Sequence, residues 1–467
     1  MFWKKKKSES PWNVDFNNYN KQYTEPFGKK ENNGENNIIL TENIFLSLNS
    51  YQTLRNANVL VVGSAGTGKS RHFVKPNILQ ANCNMVINDP YGDVLKSTEK
   101  FLKNEGYQIQ VLNLKELDKS DKYNPFDYIH TEEDVVLFIR EFITNTNQIA
   151  STDGDVFWEM SEETLLRALI FYSTKYRPKE EHNFVQVLEL LKKADWEGLQ
   201  DGERNELDTI FEGVAKKDPE SVAWKSYKAF KRVSGKYWKN VVVSLASRLT
   251  IFNLPAVQEV TNTTTIDLTS MREGKKALFI IAPPMDTSYN FLVVSLISQL
   301  LKILQNEEGT RQKRHVRFII DEFTNIGHIH DMGKALAIAK NYNTSLSLIS
   351  QNIAQIKSMY KDEWEAIVWN CDSFLFMGGV EYHTLEFVSK ELGPATITVV
   401  SNSEYKRKHV SYNKRYTHHP CMTPEDIMRI DPKICILIIR GIKPFKDTKF
   451  EYANHKNYKY TADADII

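Results

Sequence analysis

The chain has 467 residues, 41% of them hydrophobic and 25% charged, the balance of a globular chain of about two to three domains. Its net charge of +1 excludes a global field as the source of any nucleic-acid affinity, which must come from local patches. No run of 18 or more apolar residues reads as a membrane span, and Cys83, Cys371, Cys421 and Cys435 form no C-x-x-C pair, which fits a reduced, cytosolic compartment.

In chain order, residues 1–37 read as a flexible segment, first basic (Lys4 to Lys7) and then rich in Asn. The basic start has no apolar stretch after it and so is not a signal peptide. Residues 38–129 read as the first part of a nucleotide-binding domain. Val59 to Val62 is a short apolar strand running into Gly63, Ser64, Ala65, Gly66, Thr67, Gly68, Lys69 and Ser70, the full G-x-x-x-x-G-K-[ST] spacing. Glycines at those positions let successive N–H groups face phosphate oxygens. Lys69 is placed to reach the β- and γ-phosphates of ATP, and the Ser70 hydroxyl to ligate Mg²⁺. A helix must open at Ser70, adding positive potential at its N-terminus. Strands are expected at Met85 to Ile87 and Ile109 to Leu114, alternating with helical stretches, which predicts βαβ units and a parallel sheet.

Residues 130–262 change character. Thr131 with Asp134 resembles a capping box, and Val135, Val136, Phe138, Ile139, Phe142 and Ile143 follow at helical spacing. Further helices are expected around Leu165 to Ile170 and Val185 to Leu191, so the segment reads as an inserted all-α domain. Residues 263–467 return to strands: Ala277 to Ala282, Val316 to Ile320, Leu346 to Ile349, Phe374 to Met377, Thr396 to Val400 and Ile434 to Ile439. A strongly periodic helix from Leu292 to Leu304 lies among them.

The strand Arg317 to Ile320 ends in Asp321 and Glu322. In a P-loop ATPase such a strand is expected beside the P-loop strand, with Asp321 organising the Mg²⁺ shell and Glu322 acting as general base on the attacking water. Leu348-Ile349-Ser350-Gln351 is a strand ending in a glutamine that can sense the γ-phosphate.

Taken together, Gly63 to Ser70, Asp89-Pro90-x-Gly92-Asp93, Tyr123 to Phe126, Phe157-Trp158-Glu159, Phe318 to Gly327, Gln351-Asn352-x-x-Gln355 and Glu391-Leu392-Gly393 resemble the type IV coupling proteins, the VirD4/TraG-type ATPases of conjugation and type IV secretion. The resemblance runs from about residue 38 to 445. It implies a RecA-like P-loop NTPase with a mostly parallel central sheet and an inserted all-α domain. It also implies ATP and Mg²⁺ as cofactors and hexameric rings. The partners it implies are a relaxase, single-stranded DNA and a membrane-anchored secretion channel. The family usually carries N-terminal transmembrane helices, so the resemblance is to a soluble branch, cytoplasmic and held at the inner face of the membrane by a partner. Where the family usually places an arginine that reaches the neighbouring subunit's ATP, this chain has Lys340, which keeps the charge and loses the planar fork. Arg248 is the alternative. Tyr91 stands where the family often has Lys.

Basic and aromatic residues interleave from Gly213 to Lys239. Lys225, Lys228, Lys231, Arg232 and Lys236 are the candidate DNA contacts, because cationic grooves with aromatic platforms bind single strands. The bland alternative is a helical surface with inward aromatics and solvated lysines. Tyr405 to Tyr416, also basic and aromatic, reads as a loop. His418, His419 and Cys421 lack a second ligand pair for Zn²⁺. His328 and His330 read as loop residues, and Phe157 and Trp158 as core aromatics. Two other functions fit the same motor core: a ring translocase for DNA segregation or packaging, and a non-hydrolysing receptor that uses ATP only to assemble.

Overall fold

The computed structural model describes residues 6–7, 12–13, 15–26, 36–146, 155–195, 203–405 and 409–466. β1 (Lys6–Lys7) and α1 (Phe16–Tyr23) precede a small hairpin, β2 (Asn37–Ile39) and β3 (Phe45–Ser47). Next come α2 (Ser50–Thr53), β4 (Val59–Val62), α3 (Lys75–Leu79), β5 (Asn84–Asn88), α4 (Asp93–Asn104) and β6 (Gln108–Asn113). A helical stretch follows: α5 (Glu132–Asn145), α6 (Asp155–Tyr176), α7 (Phe184–Lys192), α8 (Glu206–Lys217), α9 (Val222–Ser234), α10 (Trp238–Leu249) and α11 (Pro255–Thr261). The chain then runs through β7 (Lys276–Ile281), α12 (Asn290–Asn306), β8 (Val316–Ile320), α13 (Met332–Ile338), β9 (Thr344–Ser350), α14 (Ile353–Tyr360), α15 (Trp364–Trp369) and β10 (Ser373–Phe376). It finishes with α16 (Tyr382–Leu392), β11 (Pro394–Tyr405), β12 (His409–Pro420), α17 (Pro424–Met428), β13 (Ile434–Ile439) and β14 (Phe445–Thr448).

The central sheet has nine strands in the order β14-β13-β10-β4-β9-β8-β5-β7-β6. From β10 to β6 every pairing is parallel, and β13 and β14 add an antiparallel edge. Strands buried on both faces need continuous apolar runs, and Val59 to Val62 is such a run. Leu60 and Val62 enter one core, shared with the helical stretch, while Val59 and Val61 enter the other, closed by the N- and C-terminal segments. The carboxylate strand β8 does not lie beside the P-loop strand as expected. β9 pairs with both and separates them, so the active-site residues converge from three neighbouring strand ends rather than two.

Among the described residues from 132 to 261 there is no strand. α5 opens on the Thr131–Asp134 capping box. Its apolar face continues into α12: Phe142, Phe184, Phe252 and Phe291 form one ring cluster, with Phe184 and Phe252 stacked at 4.1 Å. The helix Thr287–Asn306 is long and apolar enough to cross a membrane, yet eleven residues of α12 are buried in this core.

Two expectations are corrected. Within the supposedly flexible 1–37, residues 16–23 form α1. Its Tyr19 is buried edge-on against Phe445, with ring centres 5.4 Å apart, and Asn20 donates to the Asn43 carbonyl at 2.7 Å. Phe16, Tyr19 and Tyr23 recur at helical spacing, hidden among the Asn and Lys residues around them. Tyr405 to Tyr416 is no loop: from His409 it is strand β12, paired antiparallel with β11 from Pro394↔Pro420 to Tyr405↔His409. A polar strand of this kind is specified by its partner rather than by its own residues. Residues 406–408 lie outside the described part.

Candidate nucleotide site

The P-loop leaves the carboxyl end of β4 between the ends of β9 and β10. Gly63 N–H donates to Ser350 O at 3.2 Å and Ser64 N–H to Gly378 O at 3.0 Å. A side chain at Gly63 would put its Cβ 2.6 Å from Thr67 Oγ1. Gly68 has φ +82°, and its Cβ would lie 2.4 Å from the His72 ring. Ala65 and Gly66 are exposed at the tip. Among the described residues the N–H groups of Ala65, Gly66, Gly68 and Lys69 have no backbone acceptor. Orphan donors at the start of a helix form an anion site. That helix begins as a π-turn, Ser70–Val74, with the Lys75 N–H bonded to Ser70 O. Pro76, one residue on, has no N–H for the His72 carbonyl, and the wider turn relieves the clash its ring would make.

Around the loop the predicted catalytic residues meet. Lys69 Nζ donates to Gly63 O at 2.8 Å and lies 3.8 Å from Glu322 Oε1; it is 7% exposed. Ser70 Oγ donates to Asp321 Oδ2 at 2.6 Å, so the two Mg²⁺-ligand candidates already touch. Burial pushes the Asp321 carboxyl above its ordinary range, partly offset by the Ser70 bond. Gln351 Nε2 donates to Glu322 Oε2 at 3.0 Å. Glu322 itself has φ +51°, a left-handed conformation that costs energy outside glycine.

Three further residues belong to this site. Asn88, at the end of β5, donates to Asp321 O at 2.6 Å. Asn325 Nδ2 donates to Glu322 Oε2 at 3.2 Å, three residues from the acid it holds. Lys449 Nζ donates to Thr67 O at 3.0 Å from beyond β14, and burial lowers its pKa. Asn325 lies inside the quoted Phe318 to Gly327 motif and was open to reading. Lys449 stands 379 residues from Ser70 and nothing local marks it.

The family profile for type IV secretory system conjugative DNA transfer matches residues 18–464. The chain belongs to that family. It is 23% identical to VirD4 of Agrobacterium fabrum (strain C58) over 217 residues, 45% of this chain and 32% of that one. It is 20% identical to the conjugal transfer protein TraG of Rhizobium radiobacter over 401 residues, 83% of this chain and 60% of that one. The chain thus spans between about a third and three-fifths of the length of these relatives. In fold it is similar to the unbound conjugative coupling protein TrwBdeltaN70, with TM-score 0.62 and 16% identity over 84% of each chain. It is also similar to TrwB solved with ADP and Mg²⁺, with TM-score 0.61 and 15% identity over 84% of this chain and 85% of that one. The fold is the RecA-like P-loop architecture with helical residues inserted between β6 and β7.

Within this family member, the residues outside the P-loop fare differently. Lys340 is exposed in the turn Ala339–Tyr342, at the amino end of β9. Six extended steps, about 20 Å, separate that end from Ser350, so Lys340 lies far from its own chain's P-loop. Arg248, the alternative, is engaged within its own chain. Its guanidinium is 12% exposed, paired with buried Glu162 at 2.9 Å, and donates to Ile143 O and Thr146 Oγ1.

On α9 Tyr227 and Phe230 are buried and Trp224 is half-buried, while Tyr237 just beyond is exposed. Lys225 pairs with Glu220, and Lys231 with Asp208 while lying 4.4 Å over Trp238. Lys228 and Arg232 are exposed, and the Lys236 side chain lies outside the described part. Phe157 is 38% exposed, not a core residue, and touches Trp158 and Tyr237.

Proposed function

We propose that this chain is an ATP-driven coupling protein that recruits a relaxase–single-stranded DNA complex and delivers it to a type IV secretion channel, working as a hexamer. The observation that carries the reading is the contact set Lys69–Glu322–Gln351 beside Ser70–Asp321, formed by residues from three strand ends. TrwB, similar in fold, was solved with ADP and Mg²⁺, which supports ATP and Mg²⁺ here. The open N–H groups of the P-loop and the Lys69 ammonium fit the phosphates. Mg²⁺ between Ser70 and Asp321 would supply charge neutralisation at the β- and γ-oxygens. Glu322 takes the proton of the attacking water, and its bonds from Gln351 and Asn325 fix which oxygen faces that water. Gln351 carries any change at the γ-phosphate into β9. Lys340, at the far end of β9, serves the neighbouring subunit's nucleotide. Membrane-anchored channel proteins hold the assembly at the inner face of the membrane.

The test is ATP turnover of the purified chain with Mg²⁺, with and without single-stranded DNA and relaxase. Stimulation by both supports the coupling role. Stimulation by DNA with no relaxase binding favours a segregation or packaging translocase, and nucleotide binding without turnover favours an assembly-only receptor.

A further inference from the structure

Asn145 is the last residue of α5, at the edge of the helical insert. Its side-chain amide grips the backbone of one residue on the other side of the molecule. Asn145 Oδ1 accepts the His328 N–H at 2.7 Å, and Nδ2 donates to the His328 carbonyl at 3.0 Å. The same Nδ2 donates to Glu141 O at 2.9 Å, which fixes the amide on its own helix. The preceding residue passes so close that a Cβ on Gly327, at φ +108°, would lie 2.4 Å from Asn145 Oδ1. His330 Nε2 meets Thr144 Oγ1 at 3.1 Å, a second contact with the same helix end.

His328 lies six residues after Glu322, and the stretch between is pinned at each step. Asn325 N–H donates to Glu322 O at 2.8 Å, and its side chain to the Glu322 carboxylate. Thr324 Oγ1 donates to Gln355 at 3.1 Å, and Asn290 Nδ2 to Asn325 O at 3.1 Å. Phe323 stacks on Tyr360 at 5.4 Å, and Tyr360 also meets the His328 ring. Glu322 holds a costly left-handed backbone, strain of a kind that persists where the surroundings over-determine it, and this loop supplies those surroundings.

We propose that Asn145 is a positioning residue: it latches the loop 323–330 to the helical insert and so sets the orientation of Glu322. The proposal rests on the reading of Glu322 as the general base. Arg248 binds Ile143 O and Thr146 Oγ1, tying α10 to the same end of α5. A partner that grips the insert and shifts α5 therefore moves His328, and with it the base.

The experiment uses the full chain with Asn145→Ala, which removes both bonds to His328 and the bond to Glu141 O, and Asn145→Asp, which keeps the acceptor for the His328 N–H and loses the donor. Turnover is expected to fall about tenfold in the first and less in the second, because the first loses both contacts with His328 and the second keeps one. Affinity for a fluorescent ATP analogue should be unchanged. Combined with Asn325→Ala, the losses should be less than additive, because both act through the same carboxylate. Amide exchange over 323–330 should quicken in Asn145→Ala while the buried strand 59–62 stays protected. Wild-type turnover in both variants, a matching loss of nucleotide affinity, additive losses, or unchanged exchange over 323–330 would each overturn the latch. If the wild-type chain shows no turnover, the reading of Glu322 as base fails, and the exchange measurement still decides the latch.

Discussion

Lys69 and Glu322 sit 3.8 Å apart, and their roles separate under substitution. Lys69→Ala removes a charge whose bond goes to the backbone of its own loop, so turnover should vanish with Tm near wild type. Glu322→Gln keeps the size and the bonds from Gln351 and Asn325 and removes the base; nucleotide should bind normally and turn over about 10²–10⁴-fold more slowly. Equal losses of binding and turnover would mark Glu322 as a structural acid. Glu141 offers a different test. It is 2% exposed, and burial pushes its carboxyl up to about 8, against smaller downward effects of Ser298 and Arg140. It lines a cavity of about 120 Å³ with Ser298, Gln299, Lys302 and Asp134, the last two paired with each other. Its folded pKa lies above its unfolded one, so the folded state holds the extra proton, and stability falls as pH rises from about 4.5 through 8. Glu141→Gln should therefore raise Tm at pH 8 and change it little at pH 5, as read by thermal melts at the two values. A pH-independent difference would show that the carboxyl is solvated.

At the scale of elements, β9 is the piece that local sequence reading could not place. The P-loop and the Asp321–Glu322 strand end announce themselves, because their chemistry is written in adjacent residues. Which strand lies between them is a matter of topology, and no periodicity inside Thr344–Ser350 records it. The same holds for α1 and β12, whose polar stretches order only against Phe445 and β11. The basic-aromatic residues of α9 were legible as a composition and not as a geometry: Tyr227 and Phe230 turn inward, and Lys231 is held by Asp208. Seen as an element, β9 has Lys340 just before one end and Gln351 just after the other, which argues a specific outcome. Lys340→Ala should leave nucleotide affinity unchanged and abolish the rise in turnover with protein concentration. Lys340→Arg should equal or exceed wild type, because the planar fork suits a spread phosphoryl charge. Full concentration dependence in Lys340→Ala would pass the trans role to another residue.

At the scale of the whole molecule, the stretch after β14 closes over the P-loop helix. Lys449 bonds Thr67 O, Phe450 O meets His72 Nδ1 at 2.9 Å, Glu451 pairs with Arg71, and Asp463 pairs with Lys75 and bonds Ser97. A chain ending at residue 448 keeps β14 and every residue of the G-x-x-x-x-G-K-[ST] motif and should still lose most of its nucleotide affinity, measured by titration of a fluorescent analogue. Wild-type affinity in that truncation would reduce the closing stretch to packing. This closure also fixes a timetable. Ser70 leaves the ribosome 379 residues before Lys449, roughly 20 to 75 s at ordinary rates of synthesis. The flanking strands β9 and β10 are complete by residue 376, and until Lys449 emerges the loop lacks only the cation behind it. A newborn chain thus carries the nucleotide motif long before the residues that close over it, and full nucleotide affinity is expected only once that stretch has folded back.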